Sequence, residues 1–180
     1  YAGTFNGIAQ ALLAKLESSI LRALWGPGRG LRCKEIILTL FVPGHRTAPQ
    51  QYVDFTSLVA LHRLVTKHRP LQEIFRQVWH LRSSSGRAFH GVVKNLRASV
   101  RRLGWTWVEP FTVITATGQR MDLLTTQASA LQHAIRDSQR ALLWRRAAGR
   151  REDMQGIEEG IDRVSTLSLT NSNRCDDYRR

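Results

Sequence analysis

The sequence predicts a mainly α-helical chain, a bundle of about six to seven helices with one small β-hairpin near 105–124. Three observations point there. Apolar residues recur at three- and four-residue spacing along most of the chain. The breaks between those stretches are Gly, Pro and Ser clusters that stop helices. Alternation of β-branched and aromatic residues is confined to one window.

Asn6 is placed to cap a first helix running to about Leu24, with Ile8, Leu12, Leu13, Leu16, Ile20, Leu21 and Leu24 in register and Trp25-Gly26 at its end. The glycine-rich stretch Gly26-Pro-Gly-Arg-Gly30 that follows is not a P-loop, because the Gly-Lys-Ser/Thr ending that grips phosphate and magnesium is missing. Nor is it a dinucleotide fingerprint, since it follows a helix where a strand is required. It reads as a helix C-cap and turn, with Arg29 and Arg32 beside it as candidate phosphate contacts. Lys34–Val42 is a short apolar run, helix or buried strand, with Lys34 and Glu35 favouring helix; Pro43-Gly44 makes a turn.

Thr47 and Pro49 signal the start of a helix over 49–67. Its apolar residues are Tyr52, Val53, Phe55, Leu58, Val59, Leu61, Leu64 and Val65. Pro70 opens the next, with Leu71, Ile74, Phe75, Val78 and Leu81, stopping at Ser83-Ser-Ser-Gly86. From about Ala88 to Leu103 a further helix puts Val92, Val93, Leu96, Val100 and Leu103 on one side and Lys94, Arg97 and Arg101 on another. Residues 105–124 are the β window, a hairpin or meander around Thr117-Gly118. Two helices close the fold. One spans about 126–148, with Leu131, Ala134, Ile135, Ala141 and Leu142 inward; the other spans 151–168, with Met154, Ile157, Ile161, Val164 and Leu167 inward. Residues 1–168 are expected to form a single domain with a sub-boundary at 83–87, and 169–180 a disordered tail.

The charge bears on function. The net charge is +13, and residues 1–150 hold 22 Lys and Arg against 7 Asp and Glu, so the excess lies in the body of the chain. It is carried by 23 Arg and only 4 Lys. Arginine's planar fork pairs with phosphate in a bidentate way and stacks on bases, so nucleic acid is the expected partner class. Lys94, Arg97, Arg101 and Arg102 beside Trp105 and Trp107 form one candidate surface, where cations would follow a backbone and indoles would stack on bases. Arg140, Arg145 and Arg146 belong to a second cluster, which also contains Arg136, Arg150 and Arg151 with Trp144 among them. The alternative is a structural or protein-interaction helical domain, its cations merely solvated and its tryptophans in the core.

No reaction is written in the sequence. Neither a nucleophile elbow nor a metal-binding His or Cys spacing occurs, and no catalytic residue, metal site or cofactor is expected. Glu158 and Asp162 would share a face if 151–168 were helical, but such pairs are ordinarily solvated. No stretch approaches the roughly 18 apolar residues of a membrane span, and the start is not a charged-then-apolar leader. An intracellular chain, nuclear or cytoplasmic and without a membrane partner, is the expectation; a start at Tyr1 suggests a fragment of something longer.

Four stretches in order carry a resemblance: Leu24-Trp-Gly through Arg32-Cys-Lys-Glu-Ile36, Thr39-Leu-Phe-Val-Pro-Gly-His45, Leu103-Gly-Trp-Thr-Trp107, and Arg150-Arg-Glu-Asp-Met-Gln-Gly-Ile-Glu-Glu-Gly-Ile-Asp162. The succession resembles the segment after the polymerase domain in reverse-transcriptase-like polyproteins of non-LTR retrotransposons. The aspartate pair of that polymerase's Tyr/Phe-x-Asp-Asp motif is absent, since Cys175-Asp-Asp does not match it, and so is a zinc knuckle. The resemblance therefore implies a thumb or connector region of an RNA-directed DNA polymerase polyprotein. Such a region would grip template, primer or element RNA, with the polyprotein's other domains as further partners.

Overall fold

The computed structural model describes residues 9–26, 33–85 and 88–162, and its first element is helix α1 (Gln10–Trp25). Leu13 and Leu21 are buried while Leu12, Leu16 and Leu24 are exposed, so α1 lays one edge against the remainder. Lys34–Ile36 (α2) runs directly into a wider π-turn over Ile37–Phe41, in which the Val42 N–H donates to the Ile37 carbonyl at 3.0 Å. The run is thus helical over 34–41, with Val42 extended at its end. Thr39 supports the wide turn by donating its hydroxyl to the Glu35 carbonyl at 2.9 Å.

A short α3 (Gly44–Thr47) leads into α4 (Pro49–Lys67), whose boundaries are those the sequence predicts. Pro49 sits in the first turn, where its missing N–H has no intrahelical acceptor to lose. Helix α5 (Arg69–Ser85) continues through the serine run instead of stopping at it. Serine is a weak breaker, roughly half a kcal/mol below alanine per residue. Gly86 and Arg87, the rest of the expected sub-boundary, lie outside the described residues, as do Asn6, Ile8 and the tail at 169–180. Helix α6 (Gly91–Arg102) ends at Leu103-Gly104, with Gly104 at φ +74°, where a side chain would be strained.

The expected hairpin is a three-stranded antiparallel meander of β1 (Thr106–Glu109), β2 (Thr112–Ile114) and β3 (Arg120–Asp122), in that order. Trp107 pairs with Val113 and Val113 with Met121, so one buried row crosses all three strands. Helix α7 (Ala128–Arg150) follows and packs against α4 and α2. The helix predicted over 151–168 does not form among the described residues. Two 3-10 turns, Glu152–Met154 and Ile157–Glu159, take its place. Gly156 and Gly160 adopt φ of +87° and +134°, and they interrupt the apolar spacing that suggested a helix.

The main core gathers Leu58, Leu61 and Val65 of α4, Leu96 and Val100 of α6, the sheet's buried row, and Leu131 and Ile135 of α7. A smaller core joins Leu21, Ile37, Leu38, Ala48 and Leu143. Several residues expected inside are exposed instead: Tyr52, Leu64, Leu71, Ile74, Val78, Leu81, Val92 and Ala141. On α5 the inward face is that of Phe75 and Trp79, which meet Trp107 at ring-centroid distances of 5.9 and 5.3 Å. Trp105 and Trp107, expected as stacking platforms, are core residues at 3% and 8% exposure. Their indole N–H groups donate to Ser138 Oγ at 2.7 Å and to the Pro110 carbonyl at 3.2 Å, which lets both rings be buried without an orphaned donor.

The Trp105–Ser138 bond ties the sheet to α7. Ser138→Ala is expected to lower unfolding stability by about 1–3 kcal/mol, the cost of leaving a buried donor unpaired. Urea denaturation checks this, and the same substitution made in a Trp105→Phe background should cost distinctly less.

Candidate functional site

Along α7 the residues Leu131, Ile135, Gln139, Leu143 and Ala147 stand four apart and are all buried. They form one inclined ridge seated against the rest of the chain. Residues on the neighbouring rows lie at the ridge's edges, where burial ranges from the buried Ser138 through the half-buried Arg136, Arg140, Leu142 and Trp144 to the exposed Arg146. One such row is Arg136, Arg140 and Trp144; the other is Ser138, Leu142 and Arg146. A cleft opens on each side.

The first cleft is a cavity of about 190 Å³ with Thr39, Gly44 and His45 on one wall and Arg136, Gln139 and Arg140 of α7 on the other. Phe55 of α4 holds two of these in place. The His45 ring lies 4.9 Å from it at 46°, and the Arg136 guanidinium carbon sits 5.8 Å from its centroid. Arg136 also donates to the Gln132 carbonyl at 3.1 Å and to Gln132 Oε1 at 3.3 Å. Arg140 reaches the exposed Asp137 at 3.3 Å and lies 6.0 Å from the Trp144 ring centre. Trp144 in turn donates to Thr39 Oγ1 at 3.1 Å, closing α7 onto the π-turn. Burial pushes His45 below its ordinary 6.5, and the nearby Arg136 and Arg46 push it the same way. Both effects favour the neutral ring. Among the described residues no carboxylate lines this cleft.

The second cleft, about 70 Å³, shares Leu38, Gln51, Gln139 and Leu143 with the first and adds Lys34, Arg102 and Arg146. Here carboxylates are present. Lys34 pairs with Glu17 at 3.0 Å. Arg102 makes a forked contact to Asp54, Nε at 3.1 Å to each oxygen and Nη2 at 2.6 Å to Oδ1. Ser99 donates to the same Oδ1 at 2.7 Å and Gln50 at 3.1 Å. Asp54 is buried, and this set of donors is what makes its charge tolerable there.

The predicted site residues therefore separate. Arg140 and Arg146 border the clefts, and Arg145 is exposed one position from Arg146, its Nε–H turned back to the Ala141 carbonyl at 3.4 Å. Arg102 lines the second cleft, but its guanidinium is engaged by Asp54, so it clamps α6 to α4 rather than standing free for phosphate. Arg97 is half-buried over the Phe89 and Trp79 rings, 4.5 and 5.3 Å from their centroids, and caps the aromatic cluster. Lys94 and Arg101 are exposed on α6 and line neither cleft. The surface expected from α6 and the two tryptophans thus does not form as such. Arg29 and Arg32 lie outside the described residues.

Sequence reasoning places Arg136 in the second arginine cluster without singling it out as a contact, and it misses His45 as a site residue. The four-residue step from Arg136 to Arg140 beside an apolar row was a readable signal; nothing local marked His45. At the far end of α7, Arg150 pairs at 2.9 Å with the buried Glu35, which also accepts from the Cys33 thiol at 3.4 Å. Burial pushes that thiol upward. Glu158 stands exposed on a 3-10 turn, so it and Asp162 do not share the helix face considered for them. Among the described residues no three His, Cys, Asp or Glu side chains gather closely enough to hold a metal, and no helix is long and apolar enough to cross a membrane. No family model, curated protein or solved structure matches the chain.

His45 supplies a pH test of this geometry. As pH falls from 7 to 5, the unfolded chain takes up a proton near 6.5 that the folded chain resists, so stability should decline across that window. Urea denaturation at stepped pH is expected to show the decline in the native sequence and a shallower one in His45→Asn. Equal slopes would contradict it.

Proposed function

We propose that the chain is a non-catalytic nucleic-acid-binding connector that holds the phosphate backbone of RNA or DNA along the edges of α7. The observation that carries this reading is the cationic border of the buried ridge: Arg136 and Arg140 on one side and Arg146 on the other, with Arg145 exposed beside it. Guanidinium groups held at a cleft edge by packing lose little further freedom on meeting a phosphate. The excess of cations over residues 1–150 adds a long-range field of the same sign. The resemblance to the region after a retroelement polymerase domain agrees with such a role. On that reading the neighbouring domains of a polyprotein are its other partners, and the nucleus or cytoplasm its setting.

A second reading, a protein-interaction domain, draws on α5. Leu71, Ile74, Val78 and Leu81 follow a 3-4-3 spacing and are exposed along one side of that helix. The burial of Trp105 and Trp107 also suits that reading. It gives no account of the carboxylate-free cleft, so we place it second.

The two readings differ in salt dependence. If Arg136, Arg140, Arg145 and Arg146 each neutralise one phosphate, log K should fall against log salt with a slope of about −3 for single strands, nearer −4 for duplex DNA. Fluorescence anisotropy with a labelled oligonucleotide measures it. Arg145→Gln with Arg146→Gln should remove about half of that slope. No binding at low salt would leave the protein-interaction reading standing alone.

A further inference from the structure

We infer that the cleft walled by His45, Arg136 and Arg140 is a site for a single phosphate group. The inference deepens the nucleic-acid reading and rests on it for the source of that phosphate. Two guanidinium groups and an imidazole are gathered around one cavity from two separate elements, α3 and α7, and no carboxylate among the described lining residues faces them. Bringing like charges together in a partly water-excluded space is unfavourable by itself. The fold nonetheless fixes them there: Phe55 carries both the His45 ring and the Arg136 guanidinium, and Arg136 is further pinned by Gln132. The charged groups facing His45 are Arg46 from its own short helix and Arg136 from α7, while α4 presents the uncharged Phe55 and Gln51. Asp137, which pairs with Arg140 at 3.3 Å, is exposed and does not line the cleft.

The remaining wall is built to match. A Cβ on Gly44 would overlap the Gln51 side chain and the Leu38 carbonyl, so the glycine leaves the room that the Gln51 amide occupies at the cleft. Gln139 donates to the Gln51 carbonyl at 2.9 Å, which fixes the floor between α4 and α7. An anion entering this cavity would meet the guanidinium N–H groups of Arg136 and Arg140 that are not already given to Gln132 and Asp137, and a ring nitrogen of His45. Its charge would also favour the protonated ring, against the burial and the neighbouring Arg136 and Arg46 that lower the His45 pKa, so phosphate binding should be accompanied by proton uptake at His45. The cavity of about 190 Å³ has room for a tetrahedral oxyanion. A terminal phosphate, carrying nearly two charges, suits two guanidinium groups and a ring able to take up a proton better than an internal diester carrying one.

Histidine-ring NMR on the chain of residues 1–180 tests this, with inorganic phosphate, a 5′-phosphorylated oligonucleotide and its 5′-hydroxyl counterpart as separate probes. Phosphate is expected to move the His45 ring signals and raise the midpoint of its titration. Arg140→Gln and, separately, Arg136→Gln should weaken that response about tenfold, as expected for loss of one charge-assisted contact. Arg63→Gln, an exposed cation on α4 away from the cleft, should leave it unchanged. A stronger response to the 5′-phosphorylated strand than to the 5′-hydroxyl strand supports an end-binding site; equal responses support a site for an internal phosphate. A response to inorganic phosphate with no oligonucleotide bound supports a free-phosphate site and defeats the nucleic-acid reading. Oligonucleotide binding that leaves His45 unmoved, with inorganic phosphate also without effect, overturns the pocket and leaves the nucleic-acid reading intact.

Discussion

Burial of one ridge on α7 decides where every other residue of that helix must go. Leu131, Ile135, Gln139, Leu143 and Ala147 are drawn inward because four of the five side chains are apolar. The fifth, Gln139, is reconciled to burial by its bond to the Gln51 carbonyl. Once that ridge is fixed, geometry sets Arg136 and Arg140 on one edge and Arg146 on the other. The clefts are thus a by-product of core formation, and their cations are positioned by the same free energy that folds the chain.

Not every arginine serves the surface. Arg102 closes on Asp54, Arg150 on Glu35, and Arg97 on Phe89 and Trp79. Each ties separate parts of the chain together, and each carboxylate involved is nearly sealed from water. A buried carboxylate that lost its arginine would be left with an uncompensated charge, so these pairs define which arrangement of helices is tolerated even where they add little net stability. Residues 1–150 have far fewer acidic than basic side chains, and two of those acids are committed inside. Along the edge of the first cleft, Arg140 meets only the exposed Asp137, and among the described residues Arg136 has no carboxylate partner.

Much of this was legible in the sequence, and the parts that were not share a cause. Pro49 and the apolar spacing after it marked α4 to the residue, and Thr/Val/Ile alternation located the sheet. The pattern Trp105-Thr-Trp107 puts both indoles on one face of an extended segment, but that face can be core or exposed platform. The choice is made by distant residues, Ser138 for one ring and Phe75 and Trp79 for the other, which no local pattern announces. The segment after Arg150 failed differently. Its apolar spacing is helical, but Gly156 and Gly160 adopt positive φ and let the chain turn instead. In the site, Arg140, Arg145 and Arg146 could be read from composition, whereas His45 meets Arg136 at one cavity and on one Phe55 ring, contacts that exist only once the helices have assembled.

The central claim is that nucleic acid lies along the edges of α7. Photo-cross-linking to a short RNA or DNA strand, followed by mass spectrometry of the digested adducts, tests it directly. The account predicts adducts concentrated in peptides covering residues 136–146, with the aromatic face of Trp144 among the cross-linked positions. Adducts confined to α6 or to α5, or none at a salt concentration low enough to favour phosphate contacts, would contradict it.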